Sequence, residues 1–435
     1  MMVKDLVPKA PAPTAPITHS KLRMLSKSLS FSYFRGMELR HQIQSLAQEV
    51  YPWTLERRRH IHAHPELSFE EVKTARFVQQ ELTALGIPFT PDVGGHGVIG
   101  LIEGEKPSEQ PRTIALRADM DALPIQEENE HAYRSTHPGV MHACGHDVHT
   151  SSLLGTAHIL QQLKPHFAGT VKLIFQPAEE KVPGGASFII KDGGLENPKV
   201  QAIYGQHVQP YFDVGKIGVR PGMYMASADE IYMTVRGKGG HAAHPANFID
   251  PVMITAQMLT AMQQVVSRSD PRIPTILSFG KVIANGATNI IPETVEVHGT
   301  LRTMNEPWRK QAQQKIKDIA HHTARMLGGE VDLDLRVGYP VLHNDETLTQ
   351  KARNYIADYM GEENIIDMDL WMAAEDFAWY THEVPGCFYR LGTRNEAKGI
   401  VHGLHTSRFD IDEDALAHST GLMAWLALKD LEENA

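Results

Sequence analysis

The sequence predicts an α/β fold, a main domain built on a mostly parallel sheet with an inserted α+β unit, and three observations carry that prediction. Apolar runs of strand length, "TIALRADMDALP", "TVKLIFQPAEE" and "VQAIYGQHV", alternate with a Gly-containing loop and helix, "HACGHDVHTSSLLGTAHILQQLK", as a sheet flanked by helices requires. From Met223 to about Val337 the order becomes strand, helix, strand, strand, helix, strand, a split β-α-β unit of ferredoxin-like kind. Beyond it helix and strand resume, which returns the chain to the main domain. The expected division is residues 37–222 with 338–435 as that domain and 223–337 as the insertion.

Taken in order, the first 36 residues are rich in Pro, Ser and Lys/Arg with Asp5 the only acid, and polar residues interrupt their apolar positions. They are set aside as a disordered or non-native extension ahead of Met37, with a transit segment as the other reading. Gln42 to Leu85 reads helical, with a capping-box-like Ser68 to Glu71 spacing and a stop at Gly86. The three apolar runs end at Asp119, before Glu179 and just before His207, and Thr150 or Ser151 is expected to cap the helix between the first two. In the insertion, the helices "PVMITAQMLTAMQQVV" and "EPWRKQAQQKIKDIAHHTARML" lie among the strands "DEIYMTVRGKG", "TILSFGKVIA", "TVEVHGTLRTM" and "EVDLDLRV".

Composition narrows the function. The 435 residues are 42% hydrophobic, enough for ordinary cores, and the formal charge of -10 argues against a nucleic-acid surface. No apolar stretch reaches the roughly 18 residues needed to span a bilayer. Two cysteines, Cys144 and Cys387, are too few for a disulfide framework and fit a reducing, cytoplasmic compartment.

The densest histidine knot is His142, Cys144, His146 and His149, with Asp147 among them. Cys144 and His146 lie two apart, so on an extended segment they point the same way, and thiolate with imidazole suits Zn(II) or a similar first-row ion. Two residues cannot hold a metal alone. Glu179 and Glu180 follow one strand and His207 another, at the carboxyl ends where open α/β sheets place their sites. Adjacent carboxylates diverge, so one can bind metal while the other acts as a general base; the commoner reading of such a pair is a solvated turn. The "PGGA" that follows lets backbone approach closely. Asp119 and Asp121 can orient ligand histidines or form a plain turn. His405 and His241, taken alone, read as surface loop histidines.

At these residues the sequence resembles the N-acyl amino acid amidohydrolases, the family of hippurate hydrolases, aminoacylases and indole-acetyl-amino-acid hydrolases. The resemblance runs from about Ile43 to the C-terminus through "RRHIHAHPELSFEE", "ALRADMDALPI", "MHACGHDVHT", "IFQPAEE", "GGHAAHP", "NIIPETVEVHGTLR", "AEDFAWY" and "HTSRFDIDE", in family order. It implies a phosphorylase/hydrolase-like catalytic domain with a lid and dimerisation insertion. It further implies two divalent ions, Mn, Zn, Ni or Co, held by Cys144, His146, Glu180, His207 and His405. Glu179 would be the base and His241 would stabilise the oxyanion across a homodimer, while Asn289 or Arg302 would hold the substrate carboxylate. The implied reaction is hydrolysis of a small N-acyl amino acid by a metal-activated water. The rival readings are a dipeptidase or carboxypeptidase with the same metals, and a non-catalytic metal-containing binding module. A Ser nucleophile is disfavoured because no GxSxG elbow occurs.

Overall fold

The computed structural model describes residues 19–433, with side chains from residue 37 on, so the extension expected over residues 1–36 lies outside the fully described part. Helix α1 (His19–Ala63) turns Ile43, Ala47, Val50, Thr54, Arg58 and Ile61 inward, the three-and-four spacing of an amphipathic helix. Pro65 falls in the break before α2 (Val72–Ala84), so the stretch from Gln42 to Leu85 is two helices rather than one. Ser68 is not the cap of α2. Its hydroxyl donates to Asp121 at 2.6 Å, and the Glu71 carboxylate accepts from the backbone of Phe69 and Ala178.

The chain continues through β1 (Phe89–Val93), β2 (Gly97–Glu103), β3 (Thr113–Asp119), α3 (His146–Gln162), β4 (Thr170–Gln176), α4 (Gly185–Lys191), β5 (Ala202–Asp213), β6 (Ile217–Val219) and β7 (Gly222–Met225). Next come β8 (Ser227–Arg236), β9 (Gly240–His241), α5 (Pro251–Ser267), β10 (Thr275–Ala284), β11 (Ile290–Ile291), β12 (Thr294–Thr303), α6 (Glu306–Met326) and β13 (Glu330–Val337). The chain closes with β14 (Leu342–Asn344), α7 (Glu346–Met360), β15 (Ile365–Asp367), α8 (Ala378–Thr381), β16 (Gly386–Arg394) and α9 (Ala415–Glu433).

The large sheet has the order β1-β2-β4-β3-β5-β16-β6-β15, and its four central strands are mutually parallel. Every residue of β3 and β4 is buried, as expected where helices cover both faces. One face carries α1, α3, α7 and α9, and the other packs on α4 and α8. This is the mainly parallel architecture read from the sequence. The smaller sheet, β10-β12-β8-β13, is antiparallel throughout. In β8 buried and half-buried residues alternate, so one face closes on α5 and α6 while Glu230 and Tyr232 face the other way.

Two local differences from the sequence reading matter for chemistry. Helix α3 begins at His146, four residues before the expected cap, because Gly145 adopts φ +86° and turns the chain sharply. A Cβ there would sit 2.4 Å from Val208 Cγ2, so only glycine fits. Strand β5 runs through His207 to Asp213 instead of ending before it, since β16 pairs alongside with Arg390 opposite His207. Among the described residues no helix is long and apolar enough to cross a membrane.

Candidate metal centre

Four segments deliver donors to one point: the turn before α3, the loop after β4, the middle of β5 and the loop before α9. Cys144 Sγ lies 3.3 Å from His207 Nε2 and 3.3 Å from His405 Nε2, and His405 Nε2 is 3.3 Å from Glu180 Oε1. His146 Nε2 is 4.0 Å from the same Glu180 oxygen. Both His146 Nε2 and Glu180 Oε1 are buried without a hydrogen-bond partner among the described residues, which is what donors awaiting a cation look like. The convergence of Cys144 and His146 arises from the Gly145 turn, not from alternation along an extended strand.

The ring orientations select the donor atoms. His146 Nδ1 is 2.9 Å from the Asp121 carbonyl and 3.2 Å from its Oδ1, and His207 Nδ1–H donates to the Val208 carbonyl at 2.7 Å. Each ring therefore presents Nε2. His149 is excluded, although Asp119, His146 and His149 also cluster. Its Nδ1 is 2.5 Å from Asp119 Oδ1, and its Nε2 accepts the Val208 N–H at 2.9 Å, so both nitrogens are occupied. Asp121 does most of the positioning, accepting from the backbone N–H of Glu179 and of Glu180, each at 3.0 Å. His405 at φ +59° and Ala178 at φ +53° are held in the left-handed region next to this centre.

The electrostatics favour a cation. Burial, with Glu180 and Glu179 beside it, pushes the Cys144 thiol well up, so a positive ion is needed to draw its proton off. Burial opposes charge on His146, yet Asp119 and Asp121 outweigh it and hold the ring at about 10. Burial, aided by Arg390, keeps His207 neutral, with its Nε2 lone pair turned toward Cys144 Sγ. The donor set of thiolate, imidazole and carboxylate fits first-row divalent ions. Glu179 is 5% exposed, and burial, then Glu375 and Glu180, push its carboxyl well up. A group so placed takes up a proton readily.

Cys144, Glu179, Glu180, His207 and His405 floor a cleft of about 660 Å³. Its roof is the open face of the smaller sheet, with Glu230, Tyr232, His298, Thr300 and Arg302. Arg302 donates to the Met372 carbonyl at 3.2 Å. His241 and Asn289 are not among the lining residues. Both are exposed at the antiparallel β9/β11 pair, where the Asn289 carbonyl accepts from the Ala242 N–H.

Sequence reasoning left several contributors unassigned. Arg117, fully buried in β3, binds Asp119 at 2.5 Å, Asp376 at 2.6 Å and Glu375 at 3.1 Å, and Tyr339 O–H donates to the Glu179 carbonyl. An arginine inside the apolar run "TIALRAD" was the available signal. The "PGGA" segment makes its close approach to Asp376 and Pro177: a Cβ at Gly184 would meet Asp376 Oδ2 at 2.5 Å, and one at Gly185 would meet the Pro177 carbonyl at 1.9 Å.

A mainly parallel α/β sheet gathering such donors beside a buried carboxyl defines a dinuclear metal hydrolase. The chain belongs to peptidase family M20/M25/M40, whose profile matches residues 115–429. It is 37% identical over 392 residues to the IAA-amino acid hydrolase ILR1-like 2 of Arabidopsis thaliana, covering 89% of this chain and 87% of that one. It is 36% identical over 422 residues to the N-acetyl-L-cysteine deacetylase of Bacillus subtilis (strain 168), covering 93% and 98%. Among solved structures, the Bacillus subtilis YXEP protein, a dinuclear metal-binding peptidase from the M20 family, matches with a TM-score of 0.75. The identity is 33%, over 88% of this chain and 99% of that one.

Proposed function

We propose that this protein is a metal-dependent amidohydrolase that cleaves N-acyl amino acids, of acetyl, benzoyl or indole-acetyl type, to a carboxylic acid and an amino acid. The supporting observation is the convergence of Cys144, His146, Glu180, His207 and His405 beside buried Glu179, at the floor of a cleft of small-molecule size. Those five residues would hold two divalent ions, which polarise an amide carbonyl and make water nucleophilic near neutral pH. Glu179 takes the proton from the attacking water and returns it to the departing amine nitrogen, so one water is consumed and acid and amine are released. Arg302, in the roof, supplies a positive charge for the substrate carboxylate.

In this reading residues 37–222 and 338–435 are the catalytic domain and 223–337 the lid and dimerisation domain. His241 would serve the oxyanion of a second copy's site in a homodimer, with Asn289 the alternative to Arg302 for the substrate carboxylate. Cys144 and Cys387, both free and buried, are compatible with the cytoplasm. The test is hydrolysis of N-acetyl, N-benzoyl and indole-acetyl amino acids, alongside unblocked dipeptides, by chelated enzyme refilled separately with Mn(II), Zn(II), Co(II) and Ni(II). Metal-restored cleavage of acyl amino acids supports the reading; cleavage of dipeptides alone, or full metal occupancy without activity, overturns it.

A further inference from the structure

A second histidine and carboxylate cluster lies outside the cleft, where α1, the loop 127–135 and the first turn of α3 meet. His62 Nε2 is hydrogen-bonded to Glu127 Oε1 at 3.2 Å, an oxygen that also accepts from Asn129 Nδ2 at 3.1 Å, and His131 Nε2 stands 3.3 Å from it. The three donor atoms all lie within 4.8 Å of one another. Two donors bound at ~2.0–2.1 Å to a tetrahedral ion are about 3.3 Å apart, so these separations suit ligands around a single cation. The other nitrogen of His62, Nδ1, is 2.8 Å from Asp147 Oδ2, the carboxylate pairing that orients a ring toward a metal.

His131 supplies an independent sign. Its Nε2 is close to Glu127 but not aligned to hydrogen-bond it, and neither ring nitrogen, both buried, has a hydrogen-bond partner among the described residues. The ring is fixed instead by stacking on Tyr133, with centroids 3.8 Å apart. Charge points the same way. Asp147, Glu127, Asp410 and Glu413 meet Arg58 and Arg59 here, which leaves two negative charges when both histidines are neutral. One dication balances that surplus, and protons on both rings are the competing way to do so.

We propose that His62, Glu127 and His131 form a third metal site for a divalent first-row ion of Zn(II) type. It ties the 127–135 loop to α1 and, through Asp147, to the start of α3 beside His146. None of its residues lines the cleft, so its role is structural.

The full-length protein is chelated, refilled with Zn(II), freed of loose ion by gel filtration, and its metal per chain counted by elemental analysis. His131→Phe keeps the ring on Tyr133 while removing both nitrogens, and Glu127→Gln keeps the carboxylate's shape while removing its charge. The expected result is one ion per chain fewer in each variant than in wild type, with hydrolysis of N-acyl amino acids unchanged. Equal ion counts in wild type and both variants overturn the site and assign the cluster to protonated histidines. Should Glu127→Gln fail to fold, His131→Phe decides, since its side chain sits in a loop and is 19% exposed. Counting ions separates this outcome from failure of the amidohydrolase reading, which would abolish turnover without altering the difference in ion number.

Discussion

Replacing Asp121 with Asn tests how far the metal centre depends on one buried carboxylate. Its Oδ1 accepts from the Glu179 N–H at 3.0 Å and faces His146 Nδ1 at 3.2 Å; its Oδ2 accepts from the Glu180 N–H at 3.0 Å and from Ser68 Oγ at 2.6 Å. Asparagine keeps the shape but turns one oxygen into an NH2. The least unfavourable orientation puts that NH2 beside Ser68, whose hydroxyl rotates to accept, leaving the Glu180 N–H as the donor that faces a donor. A buried N–H without an acceptor costs about 1–3 kcal/mol. Loss of the carboxylate charge also weakens the bond to His146. We therefore expect the metal-free variant to lose about 1–3 kcal/mol of unfolding free energy. Ion binding should weaken about 10- to 100-fold, the usual consequence of removing a partner that orients ligands. Urea denaturation followed by circular dichroism reads the first effect, and competition with a chromophoric chelator the second. Wild-type affinity for every ion together with an unchanged urea midpoint would refute the reasoning, because the Glu179–Glu180 turn would then be held by something other than Asp121.

Glu179→Gln should leave the ion count unchanged and lower kcat/KM by at least about 10²-fold on an N-acyl amino acid; unimpaired turnover removes Glu179 from proton transfer. Gly145→Ala meets φ +86° and Val208 Cγ2 at 2.4 Å, so unfolding in urea should show a loss of about 2–5 kcal/mol. Adding Val208→Ala should recover the steric part only, and full stability of the single variant would contradict the geometry. Burial holds His142 at about 3 in the fold, against about 6.5 in the unfolded chain. The unfolded chain therefore takes up this proton first as pH falls. Stability from this group is complete above about pH 6.5 and drops by roughly 1.4 kcal/mol per pH unit below it, until the folded value is passed. Urea unfolding of His142→Gln between pH 6.5 and 5 should show a dependence shallower by about one proton; an identical slope would mean that the ring is charged in the fold.

Much of the fold was legible because burial writes a period into the chain. The alternation in "DEIYMTVRGKG" and the helical spacing of "PVMITAQMLTAMQQVV" placed α5 within a residue and β8 within about three residues of their observed positions. The start of α3 was misplaced, since Thr150 looks like a cap, whereas the turn is imposed at Gly145 by Val208 from another strand. The end of β5 was misplaced for a similar reason: its pairing partner, β16, is some 180 residues further along the chain.

For the site, residue types and order by themselves marked Cys144, His146, Glu179, Glu180 and His207 as the positions worth watching, because thiol, imidazole and carboxylate near strand ends have few other uses together; His405 reads as a surface loop histidine and joins them only through the family resemblance. Sequence does not separate His146 from His149, which are three residues apart on one helix and chemically identical. The fold separates them, by laying the Val208 N–H on one ring's Nε2 and leaving the other's unpartnered. Nor does it join His62, Glu127 and His131, or place His241 and Asn289 outside the cleft that Arg302 roofs. Local pattern determined which segments become strands, helices and polar strand ends; which nitrogen or oxygen is left free to meet a cation depends on hydrogen bonds between segments distant in the chain, and those exist only once the sheet has closed.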